Sequence, residues 1–164
     1  WLDPAASNGK ARVTLPDGEK VSSKLVRGSK KGGAIRLITP ERYDTLVMGE
    51  GIETTLSAFV AGAAPGAAFW AGVDLGNMRG VMLKEQGKRH LGVPDMSDSE
   101  AFVPPPWVKH FYLIKDGDSD PMSTQAKLLS GARRAMVAVP GIDVRIVNAP
   151  QGKDLNDMLS PDDE

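Results

Sequence analysis

Cysteine is absent from the sequence, which excludes disulfide bonds and zinc sites with cysteine ligands within this chain. No apolar stretch approaches the roughly 18 residues of a membrane-spanning helix, and no signal-peptide pattern is present. Internal repeats and low-complexity segments are also lacking. We therefore expect a cytoplasmic protein with no membrane partner. Because the chain starts at Trp1 in sequence typical of the middle of a protein, we interpret it as part of a longer one.

The composition is that of an ordinary globular domain. Hydrophobic residues make up 41% of the 164 residues and charged residues 25%. A chain of this length supports one well-buried core and hardly two. We expect one main domain with a small appendage.

The net charge of −1 conceals a basic N-terminal segment. Residues 1–38 contain eight basic residues and three acidic ones. The basic residues are Lys10, Arg12, Lys20, Lys24, Arg27, Lys30, Lys31 and Arg36. Such a segment suits a polyphosphate or nucleic-acid partner, because it neutralises phosphates. The alternative is a solvated, lysine-rich hairpin.

The pattern of apolar residues divides the chain near residue 42. Residues 1–42 predict a basic β-rich arm, with a turn at Pro16, Asp17 and Gly18. Residues 43–164 predict a mostly parallel, four-stranded α/β sheet flanked by helices, interrupted by an irregular excursion at 76–108. Short strands are predicted in the arm at 11–15, 19–26 and 34–38. In the α/β part, strands are predicted at 45–49, 67–73, 110–114 and 143–149, and helices at 52–62, 123–139 and 155–159.

Two of the predicted strands end at carboxylates. Glu50 follows one, and Asp116 and Asp118 follow the other. An open α/β sheet binds ligands beyond the carboxyl ends of its strands, and these two strands are neighbours if the sheet has the flavodoxin-like order 2-1-3-4. Asp116 and Asp118 are two residues apart, so they point to the same side of an extended strand and can share one cation. Carboxylate oxygens suit Mg²⁺, which predicts a magnesium site with Glu50 as a ligand or a general acid/base.

Each of these acidic residues also has a structural interpretation. Asp116 and Asp118 are compatible with a turn after a strand, and Glu50 with a helix cap. Asp120 continues the acidic run, and Asp154 follows the last predicted strand, so both are candidate metal ligands. Asp154 is equally compatible with the N-cap of a short helix.

Two other families share part of this pattern. A haloacid-dehalogenase-type phosphatase begins with a strand that runs into DxD, but on its first strand and with a threonine at the position of Asp120. An EF-hand requires glycine and glutamate where this chain has Pro121 and Lys127. His90 and His110 are too far apart in sequence to indicate a metal pair.

Three motifs, in this order, resemble the Toprim domain of phage and plasmid primases. They are GEGIETTLSA at residues 49–58, YLIKDGDSD at 112–120 and PQGKDLNDML at 150–159. The segment KLVRGSKKGGAIRL at 24–37 also resembles the sequence that precedes the Toprim core in those primases. The chain departs from the family after DxD. The family usually has a small residue and a glycine leading into the helix, and this chain has Ser119, Asp120, Pro121 and Met122.

The resemblance implies a DNA primase domain that makes RNA primers by metal-dependent nucleotidyl transfer. Glu50, Asp116 and Asp118 are then the catalytic and metal-binding residues, with Mg²⁺ as the cofactor and Mn²⁺ as a possible substitute. The implied partners are a single-stranded DNA template, nucleoside triphosphates and a helicase domain or protein. The arm is then the end of a preceding subdomain of the primase core.

The expected contacts to nucleotide or nucleic-acid phosphates are Lys24, Arg27, Lys30, Lys31 and Lys153. Two alternatives remain open at this point. A Toprim nuclease uses the same carboxylates with water as the nucleophile, and a non-catalytic module keeps the fold for assembly of a replication complex.

Overall fold

The computed structural model describes residue 5 and residues 11–21, 28–84, 91–115 and 120–148. The strands are β1 (Val13–Thr14), β2 (Lys20–Val21), β3 (Ile35–Ile38), β4 (Thr45–Gly49), β5 (Ala68–Ala71), β6 (His110–Lys115) and β7 (Asp143–Asn148). The helices are α1 (Ile52–Val60), α2 (Leu75–Arg79) and α3 (Pro121–Ala138). The predicted strand extension at 22–26 and the predicted helix at 155–159 lie outside the described residues.

The main sheet has the order β3-β5-β4-β6-β7. Strands β5, β4, β6 and β7 are parallel, which confirms the predicted mostly parallel α/β architecture. Their order along the sheet is 2-1-3-4, the order under which β4 and β6 are neighbours. In chain order, α1 comes between the parallel strands β4 and β5, and α3 comes between β6 and β7. This is the pattern expected for crossover connections.

The sheet has a fifth strand, β3, which the sequence placed in the arm. β3 pairs antiparallel with β5 and so covers what would be an open edge of the sheet. The ring of Trp70 on β5 fixes this pairing. Its Nε1 donates to Thr39 Oγ1 at 2.9 Å, and the guanidinium of Arg36 lies 4.7 Å from the ring centroid.

The central strands are buried on both faces, so their sequences are nearly continuous apolar runs. Side chains alternate between the faces, as Leu46 and Val47 show. The larger core, on the face covered by α2 and α3, includes Leu46, Met48, Trp70, Met78, Phe111, Leu113 and Leu128. The smaller core, on the face covered by α1, includes Val47, Ala58, Phe69 and Ile114.

The arm begins with the small hairpin β1-β2, which is separate from the main sheet. Its turn is closed by hydrogen bonds from Leu15 N–H to Glu19 O and from Gly18 N–H to Leu15 O, both 2.9 Å long. The predicted turn at Asp17 and Gly18 is therefore present. None of the helices in the described part of the chain has the length and apolar content needed to cross a lipid bilayer.

Part of the excursion is fixed to α3 by one buried arginine. Arg134 is 2% exposed. Its guanidinium donates to the backbone oxygens of Asp98, Asp95 and Val81 at 2.6, 2.9 and 3.3 Å. Gly80, directly after α2, has φ +63°, and a Cβ there would lie 2.7 Å from Arg134 Nη2. The described part of the excursion after α2 is thus bonded to α3 through Arg134.

Candidate functional site

The strand that precedes Glu50 and the strand that precedes Asp116 are parallel neighbours. Met48 of β4 pairs with Leu113 of β6, two residues before Glu50 and three residues before Asp116. The carboxyl ends of the two strands therefore meet at one edge of the sheet, as the predicted magnesium site requires. This edge is the candidate site.

A buried threonine holds the turn that carries Glu50. Thr55 is 0% exposed, and its hydroxyl accepts a hydrogen bond from Gly49 N–H at 3.2 Å and donates one to Gly51 O at 2.7 Å. The hydroxyl thus bridges the residues on either side of Glu50. Gly49 is required for this arrangement, because a Cβ would lie 2.7 Å from Thr55 Oγ1.

Sequence reasoning did not identify Thr55 as part of the site. Its position four residues after Gly51, in the first turn of α1, is the signal that could have indicated a hydroxyl bonded back to the strand end. The end of β5 is tied to the same turn, since Gly72 N–H donates to Gly49 O at 2.9 Å. The ends of β4 and β5 are therefore joined by a hydrogen bond beside Glu50.

Replacing Thr55 with valine is expected to lower the free energy of unfolding by about 1–3 kcal/mol, because the buried N–H of Gly49 loses its acceptor. The change keeps the shape of the side chain, so packing is preserved. Urea unfolding measures the effect, and a metal titration shows whether Glu50 has moved. Thr55→Ser, which retains the hydroxyl, is the control. Equal stability of Thr55→Val and the unmodified protein would contradict this role.

The predicted acidic ligands divide into two groups. Asp116, Asp118 and Asp154 lie outside the described residues. Glu50 is partly exposed at the end of β4. Within the described ranges, no group of three or more His, Asp or Glu side chains is arranged to hold a metal ion. The donor set still has the chemistry that Mg²⁺ prefers, since all of its members are carboxylates.

Asp120 acts as the N-cap of α3. Its Oδ1 accepts hydrogen bonds from the backbone N–H groups of Met122 and Ser123 at 3.0 and 3.4 Å. Pro121 occupies the first helical position, which suits proline because no N–H partner is needed there. The capping role explains why the helix begins directly after the acidic run, and a metal role for Asp120 stays a prediction.

Two of the five residues predicted to contact phosphates lie in the described part of the chain. Lys24, Arg27 and Lys153 lie outside the described residues. Lys30 Nζ forms an ion pair with Asp74 Oδ2, and Lys31 Nζ forms one with Glu100 Oε2. Asp74 follows β5 at the same edge of the sheet as Glu50. The structure thus brings Lys30 to the edge where the carboxylates are predicted, whereas Lys31 contacts the excursion.

The segment after Lys31 is bonded to α2. Gly32 N–H donates to Asn77 Oδ1 at 2.8 Å, and Asn77 Nδ2 donates to Gly33 O at 2.7 Å and to Gly72 O at 2.9 Å. Partial burial raises the pKa of Asp74, but hydrogen bonds from Lys30 and from Asn77 N–H outweigh it and hold the pKa below its ordinary value. Asp74 is therefore ionised and anchors Lys30 at neutral pH.

A cleft of about 490 Å³ lies between this lysine segment and the excursion, and we call it the arm–excursion cleft. Its charged lining residues are Lys30, Lys31, Asp74, Arg79, Lys84, Asp98 and Glu100. Sequence reasoning did not identify the cleft, because its walls come from segments far apart in the chain. Hydrogen bonds from the N–H groups of Val81 and Glu100 hold the pKa of Asp98 below its ordinary value, and Arg134 adds to this effect.

Comparison with protein families places most of the chain in one of them. The family model described as Toprim domain matches residues 45–162, which is well over half of the 164-residue chain. The comparison with curated proteins gave no match, and neither did the comparison with solved structures.

Proposed function

This chain belongs to the Toprim domain family, and we propose that it is the catalytic domain of a DNA primase that makes RNA primers by metal-dependent nucleotidyl transfer. Toprim domains occur in primases, nucleases and topoisomerases, and they bind Mg²⁺ in general. The observation that carries the proposal is the parallel pairing of β4 with β6. It brings the strand end with Glu50 beside the strand end that leads into the DxD pair.

In this proposal Asp116 and Asp118 hold Mg²⁺, and Glu50 either adds a ligand oxygen or accepts the proton of the attacking hydroxyl. When bound, the ion neutralises charge on the triphosphate and polarises the reacting phosphorus. The protein's own contribution is placement. Thr55 and Gly49 fix the backbone on both sides of Glu50, so that the residue is in place before substrate arrives.

The basic residues hold the phosphates in this scheme. Lys30 and Lys31, together with Lys24, Arg27 and Lys153, are proposed to contact the template strand and the nucleoside triphosphate. The position of Lys30 beside Asp74, just beyond the carboxyl end of β5, supports this assignment. A helicase domain or protein is the proposed partner, since primers are needed where the duplex is opened.

Product analysis tests the proposed reaction. The full-length protein is incubated with single-stranded DNA, nucleoside triphosphates and Mg²⁺, and the products are resolved by length. Short RNA primers that require a template support the primase assignment. Shortened DNA instead of RNA would show a nuclease that uses the same carboxylates. Metal binding without any product would show an assembly module, and either of these results would overturn the proposal.

Replacing Lys30 and Lys31 together with glutamine is expected to weaken binding of single-stranded DNA and to reduce its salt dependence. Each lost phosphate contact lowers the slope of log K against log salt concentration by about 0.7 for single strands, so a reduction of about 1.4 is expected. Fluorescence anisotropy between low and moderate salt measures the slope. Lys109→Gln is the control, because Lys109 precedes β6 at the opposite edge of the sheet. An unchanged slope in the Lys30, Lys31 variant would exclude these contacts.

A further inference from the structure

The arm–excursion cleft has more positive charge than its acidic residues neutralise. Asp74 pairs with Lys30, and Glu100 pairs with Lys31. The third carboxylate, Asp98, lies 3.6 Å from Arg134 and accepts hydrogen bonds from backbone N–H groups. Each carboxylate of the cleft therefore already has a partner.

Arg79 and Lys84 are the two remaining cations of the cleft lining. Among the residues that the structure describes, neither has a carboxylate within ion-pair distance. Arg79 Nε is buried and has no hydrogen-bond partner there. Arg134 Nε is also buried without one, but the other guanidinium nitrogens of Arg134 donate to three backbone oxygens. No comparable bond engages the guanidinium of Arg79 in the described ranges.

A guanidinium whose outer nitrogens face a cleft and have no carboxylate partner is a ready anion contact. The buried Nε of Arg79 is closed to a ligand in the cleft, but the two terminal nitrogens of its guanidinium have no bond in the described ranges. These nitrogens match a phosphate with two parallel hydrogen bonds. Lys30 and Lys31 each have a carboxylate partner, but an ammonium group has three N–H donors and can also donate to the same ligand. The two cations without a carboxylate partner therefore indicate a phosphate group as the ligand.

The volume and the position of the cleft restrict the size and the class of ligand further. A volume of about 490 Å³ lies within the roughly 300–1,000 Å³ of small-molecule sites and exceeds what one phosphate ion needs. Asp74 and Asn77 place the cleft directly after β5, whose end is bonded to the turn that carries Glu50. Val73 has φ +73°, a conformation that costs a β-branched residue about 1–3 kcal/mol and that is concentrated at functional sites.

We propose that the arm–excursion cleft binds a chain of phosphates, with Arg79 and Lys84 on one wall and Lys30 and Lys31 on the other. The ligand is the polyphosphate of a nucleotide or the backbone of a nucleic-acid strand, which share this chemistry. The inference rests on the proposed function for the two lysines and adds Arg79 and Lys84, which belong to the excursion. It makes the excursion part of the substrate-binding surface.

Binding measured in EDTA tests this site separately from the metal site. Tripolyphosphate and a short single-stranded oligonucleotide are titrated into the unmodified protein and into Arg79→Gln. Loss of a charge-assisted hydrogen bond predicts at least about tenfold weaker binding of the preferred ligand. Arg79→Lys should restore only part of the affinity, because a lysine cannot make the bidentate contact. Lys109→Gln, at the opposite edge of the sheet, should bind as the unmodified protein does.

The two probes distinguish the two ligand sources. A larger effect of Arg79→Gln on tripolyphosphate identifies a nucleotide site, and a larger effect on the oligonucleotide identifies a strand site. Failure of both probes to bind the unmodified protein, or equal affinities for Arg79→Gln and Lys109→Gln, would overturn the inference. If circular dichroism shows that Arg79→Gln does not fold, the same titrations are made with Lys84→Gln, because Lys84 is exposed. Unchanged affinity of Lys84→Gln for both probes would then overturn the inference. If the full-length protein makes no primers but phosphate binding in EDTA is intact, the proposed reaction is wrong and the proposed phosphate site is still supported.

Discussion

Primer synthesis is expected to disappear when Asp116 and Asp118 are both replaced with alanine. These residues follow β6, whose neighbour β4 leads into Glu50 at the same edge of the sheet. Without the two carboxylates the remaining donor set is too small to hold Mg²⁺ beside the reacting phosphate. A bound metal contributes several kcal/mol to the transition state, so the rate should fall by about a thousandfold or more.

The measurement is template-dependent RNA synthesis by the full-length protein, with circular dichroism to confirm that the variant folds. Asp44→Ala is the matched control. Asp44 is an exposed carboxylate that directly precedes β4, at the amino edge of the sheet, and its replacement should leave the rate unchanged. Synthesis retained by the Asp116, Asp118 variant would remove both residues from the reaction. Loss in both variants would point to a general effect of surface charge.

Replacing Arg134 with methionine is expected to lower the free energy of unfolding by about 3–5 kcal/mol, the usual cost of removing one partner of a buried charged pair. The substitution leaves three backbone oxygens of the excursion without donors. It also leaves Asp98 without its cation. Methionine has a similar length, so the loss reflects the missing contacts rather than a cavity.

Denaturant unfolding measures this loss. Arg145→Met is the control, because Arg145 is an exposed arginine paired with Asp143 on β7 and should change stability by about 1 kcal/mol or less. Because residues 81 and 98 line the arm–excursion cleft, Arg134→Met should also weaken phosphate binding there. Similar stabilities of Arg134→Met and Arg145→Met would show that the excursion is held by other contacts.

The sequence was sufficient for the features that depend on local patterns. Apolar runs of strand length predicted β4, β5, β6 and β7, because strands buried on both faces are continuous in sequence. Helices α1 and α3 were predicted from apolar periodicity and lie where expected to within a few residues. Adjacency of β4 and β6 depended on assuming the order 2-1-3-4, and the sheet has that order.

Features that depend on contacts between distant segments were not predicted. β3 looked like part of a separate arm, and only its pairing with β5 shows that it closes an edge of the main sheet. Arg134 follows another arginine on a helix, which in sequence is typical of a solvated face. It is buried because the excursion folds over it. The cleft beside Arg79 has walls from the arm and from the excursion, so no local pattern could indicate it.

The measurement that tests the central claim most directly is a calorimetric titration of Mg²⁺ or Mn²⁺ into this chain and into its Asp116→Ala, Asp118→Ala variant. The predicted result is saturable binding to the unmodified chain that is lost in the variant, with the same thermal unfolding profile for both. Equal, weak binding to both proteins would contradict the claim that the strand ends after β4 and β6 form a metal site.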